Sequence, residues 1–247
     1  MNILLVIAYD GTDFLGWQST ETGQTIEGEL KKVLEQILQQ EIALQAASRT
    51  DAGVHAAAQI VNFYVEKQIP DFQKFMLSLN QMLPKTIRVI KIKKVPLKFH
   101  PTVGAIGKEY HYTLTKGTIQ QPFDRYFAWH IFQPLNLGIM EKGTQLFLGS
   151  QDFSACANKS ADPLKNPFCT LYSFNIQKIS ANKIRLILHG NRFLYKMVRN
   201  LVGTIVDLGL GKLKLKDVEK LLSTKQRFYA GVTAPAKGLL LKKVYYS

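Results

Sequence analysis

The chain has 247 residues, 46% of them hydrophobic, with a formal net charge of +14 and an isoelectric point near 9.7. That composition excludes a disordered chain and suffices for one large domain or two of ordinary size with a real core, while so positive a field attracts phosphates and disfavours cationic ligands. The longest apolar run, Ile3 to Tyr9, is far short of the roughly 20 residues that span a bilayer, and no basic-then-apolar signal opens the chain, so a cytoplasmic protein with no membrane partner is expected.

Asn2–Tyr9 is apolar and rich in β-branched residues and stops at the turn dipeptide Asp10-Gly11, which predicts a strand. Gln24–Gln40 places Ile26, Leu30, Val33, Leu34, Ile37 and Leu38 at spacings of three and four, the stripe of an amphipathic helix. Ile42–Ala47 and Gln59–Val65 are predicted strands around the polar segment Ser48–His55. A second helix is expected over Pro70–Met82, and Ile87–Val95 alternates apolar with basic residues like a half-exposed strand. The order β-α-β-β-α-β is that of a split βαβ, ferredoxin-like sheet with both helices on one face. His100–Gly107 has no period and marks a hinge. Beyond it, Tyr110–Thr115, Phe127–Phe132, Phe174–Ile179, Ile184–His189 and Gly238–Tyr245 are predicted strands, and Leu135–Leu148, Phe193–Leu210 and Lys216–Ser223 predicted helices. The expected fold class is therefore α+β: two ferredoxin-like α/β sandwich halves, 1–104 and 105–247, whose antiparallel-rich sheets leave faces free to form a central cleft.

Nucleic acid is the leading partner for this charge, the alternative being a basic protein from a lysine-rich proteome. The loop Arg49-Thr50-Asp51-Ala52-Gly53-Val54-His55 sets a guanidinium, a hydroxyl, a carboxylate and an imidazole between two apolar strands, where rigid flanks can hold chemistry. In an extended chain residues 49 and 51 project to one side, so Arg49 can keep Asp51 ionised, and Gly53 tolerates the positive φ of a sharp turn. An ordinary turn with a surface ion pair accounts for the same residues. On the predicted helix 193–210, Arg192, Lys196, Arg199 and Gly203 fall on a face apart from Leu194, Val198, Leu201, Val202 and Ile205, so Arg199 either holds a carboxylate or phosphate or faces solvent. Lys108, Tyr110 and Tyr112 share one face of a strand, offering rings for a base and a cation for phosphate, or merely cross-strand packing.

Other chemistries lack their patterns. Gly209-Leu210-Gly211-Lys212 follows a helix and makes no phosphate loop, the histidines are scattered with no H-E-x-x-H, and no G-x-S-x-G occurs. Cys156 and Cys169 form neither a disulfide framework nor a C-x-x-C pair. Neither a metal nor a nucleotide cofactor is expected.

Taken together, the segments resemble the TruA family of tRNA pseudouridine synthases, in order along nearly the whole chain. The resemblance is carried by Tyr9-Asp10-Gly11 with Phe14-Leu15-Gly16-Trp17-Gln18, Arg49–Ala56, Leu79–Pro84, Phe99-His100, Lys108 with Tyr110 and Tyr112, Asp152-Phe153-Ser154, Phe193 with Met197–Asn200, and Ala234–Leu239. It implies that Asp51 is the essential aspartate, that Arg49 assists in extruding the target base, that Tyr110 lies over the uracil, and that Arg199 pairs with the aspartate. His55, Lys108, Asn200 and Leu239, in matching motifs, are the further expected substrate-binding residues. A cofactor-free homodimer with RNA-binding clefts for tRNA is implied, acting on uridines of the lower anticodon arm. The chain departs from the family at Pro101-Thr102 and Gly104, and its segment Ala157–Lys165 is individual.

The implied reaction breaks the N1–C1′ bond, turns the uracil and joins C5 to C1′, with no redox change. One carboxylate serves it either as a nucleophile or by deprotonating the sugar and stabilising developing positive charge. Flipping the uridine costs a few kcal/mol, and phosphate contacts make binding salt-dependent. A non-catalytic tRNA-binding protein or RNA chaperone on the same scaffold is the competing reading, and a methyltransferase lacks its Gly-rich cofactor turn.

Overall fold

The computed structural model describes residues 1–158 and 166–247. The chain is mixed α+β and forms two compact units, Met1–Ile106 with Leu240–Ser247, and Gly107–Leu239. In chain order the elements are β1 (Asn2–Tyr9), α1 (Ile26–Leu38), β2 (Gln45–Ala46), β3 (His55–Tyr64), α2 (Phe72–Met82), β4 (Ile87–Val95) and β5 (Ala105–Lys116). They continue with β6 (Trp129–Ile131), α3 (Leu137–Gln145), β7 (Gly149–Asp152), β8 (Phe168–Ser180), β9 (Lys183–Gly190), α4 (Met197–Gly209), α5 (Leu215–Thr224) and β10 (Leu239–Tyr246).

In the first unit β1 is the central strand, antiparallel to β3 on one side (Asn2↔Tyr64) and to β4 on the other (Asn2↔Val95). The far edge of β3 takes two short partners, β2 antiparallel at Gln45↔Asn62 and β10 parallel at Leu240↔His55. The apolar residues that predicted β1 fill the core, with Ile3, Leu5 and Ile7 fully enclosed beside Val61, Phe63, Leu30 and Leu34. Both helices start on side-chain caps: Thr25 accepts from the Gly28 N–H, and Asp71 accepts from those of Gln73 and Lys74. The expected hinge is a folded turn: Tyr246 donates its hydroxyl to the Pro101 carbonyl at 2.7 Å and Thr102 donates to that of Ala46 at 2.8 Å. The family departures at 101–102 thus serve as anchors within this unit, and the final strand closes the first unit instead of ending the second half as expected.

In the second unit β5 pairs with β9, β9 with β8 and β8 with β7, all antiparallel, while β6 runs parallel to β5 at Leu114↔Trp129. Tyr112, Leu114, Leu186 and Leu188 form the buried side of this sheet. Every residue of α4 is buried except Arg199, so the helix has no solvated basic face. The predicted stripe fails because residues 193–196 are not helical: Lys196 adopts φ +58°, Phe193 packs edge-on against Tyr110 at 5.2 Å, and Arg192 binds the Phe168 carbonyl. Tertiary contacts override helical propensity there. Of the individual segment Ala157–Lys165, residues 159–165 lie outside the described residues.

Candidate active site

The loop 47–54 is pinned to its unit residue by residue. The Ala47 N–H donates to the Ile60 carbonyl at 2.9 Å, and Ser48 exchanges two hydrogen bonds with the enclosed Gln59 amide, 3.2 and 2.5 Å long. Thr50 is buried, its carbonyl accepting from the Trp17 N–H at 3.0 Å and its hydroxyl lying 2.8 Å from that of Tyr9. The Asp51 carbonyl accepts from the Val54 N–H at 3.1 Å, closing the turn, and Gly53 takes φ +75° as expected. Gly16, at φ +95°, lies against this stretch: a Cβ there would come within 2.6 Å of the Thr50 carbonyl oxygen and 3.0 Å of the Asp51 carbonyl carbon.

Asp51 is half-buried on this support and Arg49 is exposed beside it. A carboxylate held by a fixed backbone can be aimed without reorganisation at the moment of reaction. His55, expected to meet substrate, is only 4% exposed. Its Nδ1 lies 3.0 Å from the Gly11 N–H and 3.1 Å from Asp10 Oδ1, and Asp10 in turn accepts from the N–H and hydroxyl of Thr12. The imidazole therefore ties the exit of the loop to the turn after β1.

In the second unit, Tyr110 is buried against the Phe193 ring. Tyr112, read from the sequence as a possible stacking ring, is instead fully enclosed, its hydroxyl donating to the Pro235 carbonyl at 2.7 Å and its ionisation pushed well up by burial. Lys108 is partly enclosed, and burial lowers its ammonium to about 8. Arg199 and Ala234 exchange reciprocal bonds, the guanidinium Nε donating to the Ala234 carbonyl at 2.7 Å and the Ala234 N–H donating to the Arg199 carbonyl at 3.1 Å. Asn200 is 1% exposed and fully engaged. Its amide donates to the Cys156 carbonyl and Asn158 Oδ1, and its oxygen accepts from Arg227 and Thr233 at 2.8 and 2.6 Å. Leu239 is buried at the start of β10.

Sequence reasoning missed Tyr9, Gly16, Trp17 and Thr50 as parts of the site's support, and Ala234 and Pro235 as holders of Arg199 and Tyr112. The only signal for them was their place in motifs. Cys156 and Cys169 are buried, and burial pushes the Cys156 thiol up to about 12, so it is an inert packing group. Among the described residues, no cluster of three or more His, Cys, Asp or Glu is arranged to hold a metal, and no helix is long and apolar enough to cross a membrane.

Comparison with known proteins gives the arrangement its context. The family model described as tRNA pseudouridine synthase matches residues 5–102 and 144–247. The chain is 46% identical to tRNA pseudouridine synthase A 2 of Protochlamydia amoebophila over 99% of its own length and 94% of that protein's. It is 38% identical to tRNA pseudouridine synthase A of a Thermoanaerobacter species over 99% of each. The first matched segment holds the whole clamped loop around Asp51, and the second holds Arg199 with its Ala234 partner. This chain belongs to the tRNA pseudouridine synthase family, a family of isomerases.

Proposed function

We propose that the protein converts uridine to pseudouridine in the anticodon stem-loop of tRNA, in the cytoplasm, with Asp51 as the catalytic carboxylate. The observation that carries this reading is the anchoring of Thr50-Asp51 by the Tyr9 hydroxyl and the Trp17 and Val54 N–H groups, which leaves a half-buried carboxylate on a hydrogen-bonded backbone in the family-matched segment. The chemistry needs such a group. The N1–C1′ bond breaks, the detached uracil turns, C5 bonds to C1′, the C5 proton leaves and N1 gains one, so the product is an isomer and nothing external is consumed. Asp51 acts by attack or by proton abstraction from the sugar, and either role requires its ionised form. Arg199 supplies a further charged group for the reaction, its guanidinium oriented by the Ala234 carbonyl. Tyr110 covers the uracil, held edge-on by Phe193. Exposed Arg49 fills the space of the flipped base, and Lys108 meets phosphate.

The dimer implied by the resemblance has support in the exposed apolar side chains of the segment 119–132 in the second unit, where Phe123 is 89% and Ile119 75% exposed, with Tyr126, Phe127 and Phe132 also exposed. Exposed apolar side chains gathered in one segment suit an association surface.

The test is tritium release from tRNA carrying [5-³H]uridine, with EDTA present, beside Asp51→Asn. Release by the unaltered protein alone, with tRNA affinity retained in the variant, is the expected result. Release by Asp51→Asn removes the assignment, and absence of release by either protein despite tight tRNA binding favours a binding protein instead.

A further inference from the structure

We infer that the buried hydrogen bond between Tyr9 and Thr50 aims Asp51, which makes Tyr9 a positioning residue of the site; this rests on the reading of Asp51 given above. The phenol stands at the end of β1, where the backbone is registered against both Ala56 of β3 and Ile87 of β4. The ring is 4% exposed and lies 6.5 Å from that of Trp17, so the position of its hydroxyl is set by the sheet. That hydroxyl lies 2.8 Å from the Thr50 hydroxyl, itself buried. A phenylalanine would fill the same apolar space without the cost of desolvating a phenol, so the packing alone does not call for a tyrosine.

The bond reaches the aspartate through threonine's stiffness. A β-branched side chain has few χ1 states, so fixing Oγ1 fixes the Thr50 backbone, and with it the direction in which Asp51 leaves the chain. The Trp17 N–H holds the Thr50 carbonyl, and the adjoining Gly16 backbone lies against the same stretch, too close to admit a Cβ. Backbone contacts thus bound the peptide's translation, and the Tyr9 hydroxyl sets its rotation. Geometry of this kind acts on turnover more than on binding, because tRNA is held across a wide surface while the reacting carboxylate must be placed to within a fraction of an ångström.

The experiment compares Tyr9→Phe, Thr50→Val, the double variant and Thr50→Ser by steady-state kinetics on tRNA, with tRNA affinity and Tm measured on the same samples. The expectation is a kcat loss on the order of tenfold in Tyr9→Phe and in Thr50→Val, with KM and Kd within about twofold. The double variant should be no worse than either single one, and Thr50→Ser, which keeps the hydroxyl but loses the branched stiffness, should fall between Thr50→Val and the parent in kcat. A merely structural role would lower Tm yet leave kcat intact well below it. Unaltered kcat in Tyr9→Phe, or additive losses in the double variant, overturns the inference. Run alongside, an active Asp51→Asn would remove the catalytic reading itself, whereas an inert Asp51→Asn with a fully active Tyr9→Phe refutes only the positioning role.

Discussion

Replacing Gly203 with alanine tests whether the segment 231–234 is seated on α4 as described. In an isolated helix the change should stabilise, since glycine in a helix interior is about 1 kcal/mol worse than alanine. Here the sign reverses. A Cβ on Gly203 would fall inside the envelope of the Val232 carbonyl oxygen and within 3.2 Å of the Ala234 nitrogen, and both obstacles are backbone. The segment must lift, and with it go the bonds from the Gly231 N–H to Thr204 Oγ1 (3.0 Å), from the Val232 N–H to Asp207 Oδ2 (2.9 Å), and the reciprocal pair between Ala234 and Arg199. At about 1 kcal/mol each, less the propensity gain, the net loss is roughly 3 kcal/mol. Urea unfolding followed by circular dichroism reads this as a lower midpoint at unchanged slope. Because the Ala234 carbonyl orients Arg199, kcat on tRNA should fall as well in the folded variant. A variant as stable as the parent, or more stable, would show that the close approach of 231–234 to α4 is not a feature of the protein.

Two further perturbations separate structural from substrate roles. Asn200→Ala removes a buried side chain with four hydrogen bonds and leaves the Arg227 guanidinium, among the described residues, only its bond to Thr233, so a loss of about 2–4 kcal/mol in stability with unaltered tRNA affinity is expected; a large fall in affinity at constant Tm would make Asn200 a substrate contact. Lys108, lowered to about 8 by burial, keeps its proton longer in the unfolded chain than in the folded one. Between about pH 8 and the ordinary lysine range near 10.4 the unfolded state therefore binds more protons, so stability rises with pH there, and Lys108→Met should flatten that rise in urea midpoints measured at pH 7.5 and 9.5. An unchanged slope in the variant would show that this lysine is not desolvated.

Where local chemistry decides structure, the sequence was legible. β1 and β4 occupy the predicted residues because the first is a long apolar run and the second alternates apolar with basic residues, and their ends are punctuated by Asp10-Gly11 and Pro96. Where a distant partner decides, it was not. β7, Gly149–Asp152, has no strand periodicity and exists because β8 pairs with it, Gly149 opposite Leu171. β3 reaches back to His55 because β10, from the far end of the chain, pairs at that residue. The predicted strand Ile42–Ala47 shrinks to Gln45–Ala46, the stretch with a partner on β3.

The site divides along the same line. Asp51 and its neighbours stand out by residue type alone, since a guanidinium, a carboxylate and an imidazole between apolar strands are conspicuous. What holds them does not: Tyr9 and Thr50 are 41 residues apart and Arg199 and Ala234 are 35 apart, and neither pair has any local signature. Gly16 and Gly203 read locally as a turn residue and a weak point in a helix, yet each leaves room for a backbone arriving from elsewhere. A motif residue without reactive chemistry is therefore better asked what it lets approach than what it binds, and the answer at both glycines is the support of a charged group proposed to act on the substrate.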